Sequence, residues 1–152
     1  MVDASDHGDA PVLFVGHAEL PEGVRSAVEM ILGPQENLAT VQIGAAADLS
    51  ETAREIGQAL DEMHVDERVG ALVLTDLLGG SPSNSAAEVY LQRRYLHVVA
   101  GLSLPMALEV LADRFGRTAE ELAGVALAAG EQAVSDVSAR LAAAPDPIDG
   151  GK

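Results

Sequence analysis

Four short apolar runs punctuate the chain: VLFVG at residues 12–16, LATVQIG at 38–44, GALVLT at 70–75 and HVVAGL at 97–102. Each is nearly continuous in apolar residues instead of alternating, which is the pattern of strands buried on both faces. Between the runs the apolar spacing changes to that of helices. Residues 21–32 (PEGVRSAVEMIL) end at the stop signal Gly33-Pro34. Over residues 51–63, Ala53, Ile56, Leu60 and Met63 recur at steps of three, four and three, with Ser50 placed to cap them. Pro82, at a first-turn position after Ser81, opens a helix through residues 83–94. After the fourth run come a helix over residues 105–115 and a long Ala-rich helix, begun by a capping-box pair, Thr118 and Glu121. There is no internal repeat. This alternation predicts one α/β domain over residues 11–143, an open, mainly parallel, doubly wound sheet of about four strands with helices on both faces.

Composition narrows the picture. Apolar residues make up 48% of the 152 but aromatics only 3%, so the core must be built from Ala, Val and Leu. Residues 1–10, with Asp3, Asp6 and Asp9, read as a flexible acidic tail, and residues 144–152 as a flexible tail or linker remnant. No apolar run reaches the roughly 18 residues of a membrane span, and the N-terminus lacks a signal-peptide pattern. With no cysteine in addition, the expected place is the cytoplasm, without membrane insertion. The formal charge of −15, from 24 acids against nine bases, argues against nucleic acid as a partner. The same acidity fits a salt-adapted or GC-rich source.

In an open parallel sheet, ligands bind beyond the carboxyl ends of the strands, where strand order reverses. Three of the four strand ends carry polar or Gly-rich segments: Gly16-His17-Ala18-Glu19, Asp76-Leu77-Leu78-Gly79-Gly80-Ser81-Pro82 and Gly101-Leu102-Ser103. A histidine at a strand end is commonly a hydrogen-bonded bystander. An acid leaving a second strand end changes that, because an imidazole paired with Asp76 has its tautomer fixed and its other nitrogen free as a nucleophile. Ser81 or Ser83 as nucleophile is the alternative, but both stand where helix capping explains them, and no G-x-S-x-G occurs. Gly79 and Gly80 permit a close backbone approach, Ser81 is placed to cap, and the amides of Ser83 and Asn84 are expected to face outward. Together they make an anion-favouring helix N-terminus. Neither a Walker loop nor a dinucleotide fingerprint is present. His7, His64 and His97 take structural readings and show no metal-ligand spacing. Arg93-Arg94 reads as a solvated helix end, and Met30, Met63 and Met106 as core or site-wall packing.

Taken together, VLFVGHAEL, GPQENLATVQI, GALVLTDLLGGSPSNSAAEVYL and HVVAGLSLPMALEVL resemble the IIA domain of the mannose-type phosphoenolpyruvate:sugar phosphotransferase system. The likeness runs over about residues 11 to 143, and D-x-x-G-G-S-P-x-N is its most specific part. The resemblance implies that His17 accepts a phosphoryl group from the histidine-containing phosphocarrier protein and passes it to a IIB component. It further implies that Asp76 hydrogen-bonds the active histidine and that Ser81 with its neighbouring amides lines the phosphate site. No cofactor or metal is implied, and a homodimer is. Where the family commonly has Ser or Thr before the histidine and Gly after it, this chain has Gly16 and Ala18; Leu78 stands where an aromatic is frequent.

Three functions fit these observations. One is a phosphohistidine carrier feeding sugar uptake. A second is a regulatory IIA-like phosphoprotein that signals its phosphorylation state without transport. The third is a plain α/β binding domain whose GGSP turn holds a small anion.

Overall fold

The protein is described here by a computed structural model, which covers residues 8–144. The remainder of both expected tails lies outside the described residues. Its elements alternate as the apolar runs predict: β1 (Val12–His17), α1 (Leu20–Leu32), β2 (Leu38–Ile43), α2 (Leu49–Glu62), β3 (Ala71–Thr75), α3 (Ser81–Gln92), β4 (Leu96–Ala100), α4 (Leu104–Ala112), α5 (Ala119–Gln132) and α6 (Val137–Ala143). The four strands form one sheet in the order β2-β1-β3-β4, all parallel. The chain therefore leaves β1 toward β2 on one side and returns past it to β3 on the other. The reversal falls between β1 and β3, the place where such a sheet carries its ligand site.

Alternation along the two central strands builds two cores. Val12, Phe14, Leu72 and Leu74 face α1, α4 and α5 through Val28, Val110 and Leu122. Leu13, Val15, Ala71 and Val73 face α2 and α3 through Ile56, Leu60 and Val89. Every residue of β3 is buried, while the edge strands β2 and β4 leave partly exposed positions. Full burial of a Val, Leu or Phe is worth about 1.5–3 kcal/mol, so the two central strands anchor the domain. The expected N-terminal tail runs to residue 10, yet Ala10 is fully buried in the first core.

Several local expectations differ from the structure. The cap of α2 is Asp48 and not Ser50: its Oδ1 accepts the Glu51 amide at 2.7 Å, so the helix begins two residues early. Two cap-competent residues were available, and the direction in which the chain leaves β2 selects the first. The cap of α3 is Gly80, without a side-chain cap bond, so Ser81 is the first helical residue. The single long Ala-rich helix is two, because Asp136 accepts the Ala139 amide at 2.9 Å and starts α6 afresh. The Thr118–Glu121 capping box is formed as expected. Met30, expected in packing, is 90% exposed, whereas Met106 is buried. Arg93 is not a solvated end: it donates to Asp61 at 2.6 Å and to the Tyr95 hydroxyl at 3.3 Å, tying α3 to α2.

A residue with no sequence signal of its own holds the loops at the opposite end of the sheet. Arg114, 6% exposed, donates to the carbonyls of Asn37 and Glu36 and so clamps the loop that feeds β2. Burial pushes its guanidinium pKa down, with Asp9 and Glu36 acting against that.

Candidate functional site

His17 is the last residue of β1, and Asp76 is the first residue beyond β3. The strands pair in register from Val12↔Leu72 to Val15↔Thr75, so the two ends emerge side by side. One carboxylate oxygen of Asp76 serves both functions of the histidine. Its Oδ2 accepts the His17 backbone amide at 2.8 Å and lies 2.8 Å from the ring Nδ1. The ring is 51% exposed and the carboxylate 12%. Burial pushes the Asp76 carboxyl pKa up, but the bonds from the His17 amide and ring outweigh it and the net shift is downward. An ionised carboxylate only accepts, so Nδ1 carries the proton. That leaves Nε2 with its lone pair free and without a partner among the described residues.

The backbone closes on this pair from two sides. A Cβ on Gly16 would lie 3.0 Å from Asp76 Oδ2 and 3.1 Å from Pro21 Cγ. A Cβ on Gly80 would lie 3.2 Å from His17 Cε1. Gly80 thus lets the backbone approach the imidazole itself, where a close approach to an anion was expected. Gly79, at φ +81°, makes the turn that brings it there. Ala18 also takes a left-handed φ, +51°, a conformation that glycine adopts more readily than alanine. Its amide donates to Ile43 O at 2.9 Å and holds the histidine loop against β2.

At the start of α3 the expected cradle is only partly free. Asn84 donates its amide to Gly80 O at 3.0 Å, the first bond of the helix, and its side chain to Gly79 O at 3.3 Å. Its amide is therefore committed, contrary to the reading that faced it outward. Ser81 and Ser83 precede that first bond, so their amides belong to the unpaired first turn. Ser83 is buried and Ser81 exposed. His64 and His97 lie away from this strand end, in the turn after α2 and within β4. Among the described residues no group of three or more His, Asp or Glu is arranged to hold a metal. Among the described residues two buried side-chain oxygens have no hydrogen-bond partner, Thr75 Oγ1 and Asp76 Oδ1, both at this strand end.

Four parallel strands in this order define a doubly wound α/β protein, with a histidine–carboxylate pair at the switch point between its two central strands. Residues 11–127 match the family model EIIA-man, described as the PTS system fructose IIA component, and the chain belongs to that family. It is 32% identical over 111 residues to the sorbose-specific EIIA component of the phosphotransferase system from Lacticaseibacillus casei, covering 73% of this chain and 78% of that protein. It is 29% identical over 134 residues to the mannose-specific EIIAB component of Escherichia coli strain K12, covering 86% of this chain but only 41% of that longer protein. Among solved structures, the mannose/sorbose-specific IIA subunit from Enterococcus faecalis superposes with a TM-score of 0.78 at 29% identity, covering 91% of this chain and 98% of that one. No helix among the described residues is long and apolar enough to cross a membrane.

Proposed function

We propose that this chain is a cytoplasmic phosphohistidine carrier of a sugar phosphotransferase system. It takes a phosphoryl group from the histidine-containing phosphocarrier protein and hands it to a IIB component. The observation that carries the reading is the single Asp76 oxygen holding both the His17 amide and Nδ1, which leaves Nε2 as the nucleophile. In the accepting step the lone pair of Nε2 attacks phosphorus while the phosphorus–nitrogen bond to the donor imidazole breaks. The donor nitrogen keeps that electron pair, and the proton on His17 Nδ1 stays in place. Asp76 balances the positive charge that grows on the ring, and the unpaired first-turn amides of Ser81 and Ser83 would donate to phosphoryl oxygens. Gly79, Gly80 and Asn84 shape this turn rather than donate to the anion. Delivery to the IIB component is the same step run outward. On this reading a second copy of the chain completes a homodimer, which sedimentation would register.

The test is incubation with phosphoenolpyruvate, enzyme I and the phosphocarrier protein, followed by mass measurement. One phosphoryl group is expected, in an acid-labile, base-stable linkage. His17→Ala is expected to remove it without loss of fold. Labelling of His64 or His97, or none at all, overturns the assignment.

A further inference from the structure

Three strand ends carry polar or Gly-rich segments, and the site draws its side chains from two of them. The third, Gly101-Leu102-Ser103, follows β4 and bonds to the residue just before the acid. Thr75 O accepts the Gly101 amide at 2.8 Å and the Leu102 amide at 2.9 Å. Both lone pairs of that carbonyl are therefore used, and the peptide joining Thr75 to Asp76 is held from the side of β4. Two consecutive amides converge on one oxygen because Gly101 turns the chain at φ +108°, a conformation that residues with a side chain rarely adopt. Thr75 is in register with Ala100, so the turn begins where the β3–β4 pairing ends.

The carboxylate has no other anchor of that kind. Beyond its own residue, the side-chain hydrogen bonds of Asp76 go to His17 alone, through Oδ2. Oδ1 is buried and has no partner among the described residues, and neither has the Thr75 hydroxyl. Asp76 also stands one residue beyond the last β1–β3 pair, Val15↔Thr75. A carboxylate bonded only to the group it orients takes its own direction from the peptide it hangs on. The bonds that fix the carbonyl of that peptide come from the turn after β4, and not from the strand that carries the histidine.

We propose that Gly101 is a positioning residue of the transfer site: its turn aims two amides at Thr75 O, and through that peptide sets where Asp76 meets the ring of His17. The proposal rests on the carrier reading above for its rate measurement, but not for its spectroscopic one.

Gly101→Ala adds a Cβ that meets only Met106 Cε, at an ordinary 3.9 Å, so it acts through φ and not through a clash. Gly33→Ala is the control: Gly33 also has a positive φ, +86°, and open space around it, but it ends α1 at the other edge of the sheet. Gly101→Asn is the conservative variant, because Asn tolerates positive φ better than Ala, and it carries the comparison if Gly101→Ala does not fold. In Gly101→Ala, single-turnover transfer to His17 is expected to slow roughly tenfold or more. The slowing should be the same with the phosphorylated phosphocarrier protein and with phosphoramidate, a small phosphorus–nitrogen donor. The donor concentration that gives half the maximal rate should not change. The ring-nitrogen NMR signals of His17 should move from the Nδ1–H tautomer toward a mixture, and Gly101→Asn should recover part of both effects. Gly33→Ala should cost comparable stability in urea and leave rate and tautomer as they are. Native rates with the Nδ1–H tautomer in the Gly101 variants, or equal losses in Gly33→Ala, overturn the proposal. If the unaltered chain accepts phosphate from neither donor, the carrier reading fails, and the tautomer measurement still decides the role of Gly101.

Discussion

At the scale of single residues, the site depends on one oxygen. Asp76 Oδ2 serves the His17 backbone and ring together, so replacing it tests both orientation and charge. Asp76→Asn keeps the shape but presents a neutral group that stabilises the growing imidazolium poorly. Transfer is expected to slow by roughly 10²-fold or more in single-turnover measurements, and wild-type rates would remove Asp76 from the mechanism. The pH dependence of stability carries a sign. The folded pKa of Asp76 is lowered from its ordinary value of 3.8, so its contribution is complete above that value and is lost as pH falls through the lowered one. The stability difference between the native chain and Asp76→Asn should be level from neutral pH to about 5 and close below about 4, read by urea denaturation. A difference that already closes well above about 4 would contradict the downward shift.

At the scale of elements, the strand ends do the positioning, and the loops at the opposite edge keep them in register. Arg114 is the clearest case, a buried cation whose donors go to carbonyls of the loop before β2. Arg114→Met keeps most of the aliphatic stem and removes the guanidinium, leaving those carbonyls without their donor. A loss of about 2–4 kcal/mol is expected in urea denaturation, and a loss below about 1 kcal/mol would demote the clamp. His17 phosphorylation should survive in the folded variant, because the clamp lies at the other end of the sheet. The caps teach a related lesson. The Thr118–Glu121 box was legible because both partners lie within one turn. The contest between Asp48 and Ser50 was not, because the path of the chain out of β2 decides it. The break before α6 had a signal in the chain, the β-branched Val134 followed by Ser135 and the cap former Asp136.

At the scale of the whole molecule, charge dominates. Twenty-four acids face nine bases, and the ion pairs of the structure are mostly between partly or well exposed side chains. Exposed pairs of this kind contribute little, about 0–1 kcal/mol each, so self-repulsion is poorly offset. Sodium chloride raised from about 0.01 M to 0.5 M is expected to raise Tm by about 3 °C or more, as the Debye length falls below the spacing of the surface charges. A flat or falling Tm would mean that the acidity is locally compensated. Some properties of this molecule were determined by the sequence alone. Continuous apolar runs point to strands buried on both faces, helical spacing between them to parallel crossovers, and the segments around His17, Asp76 and the GGSP turn together carry the family resemblance. These are local or nearly local constraints, satisfied by neighbouring residues whatever the rest of the chain does. Only the tertiary structure decided that β3 returns to the far side of β1, bringing His17 within 2.8 Å of Asp76 across 59 residues. It also decided that Gly80 lies under the imidazole and that Arg114 reaches the loop before β2. Strand order and helix placement follow from which apolar faces can be buried together, a property of the packed whole that no stretch of chain carries by itself.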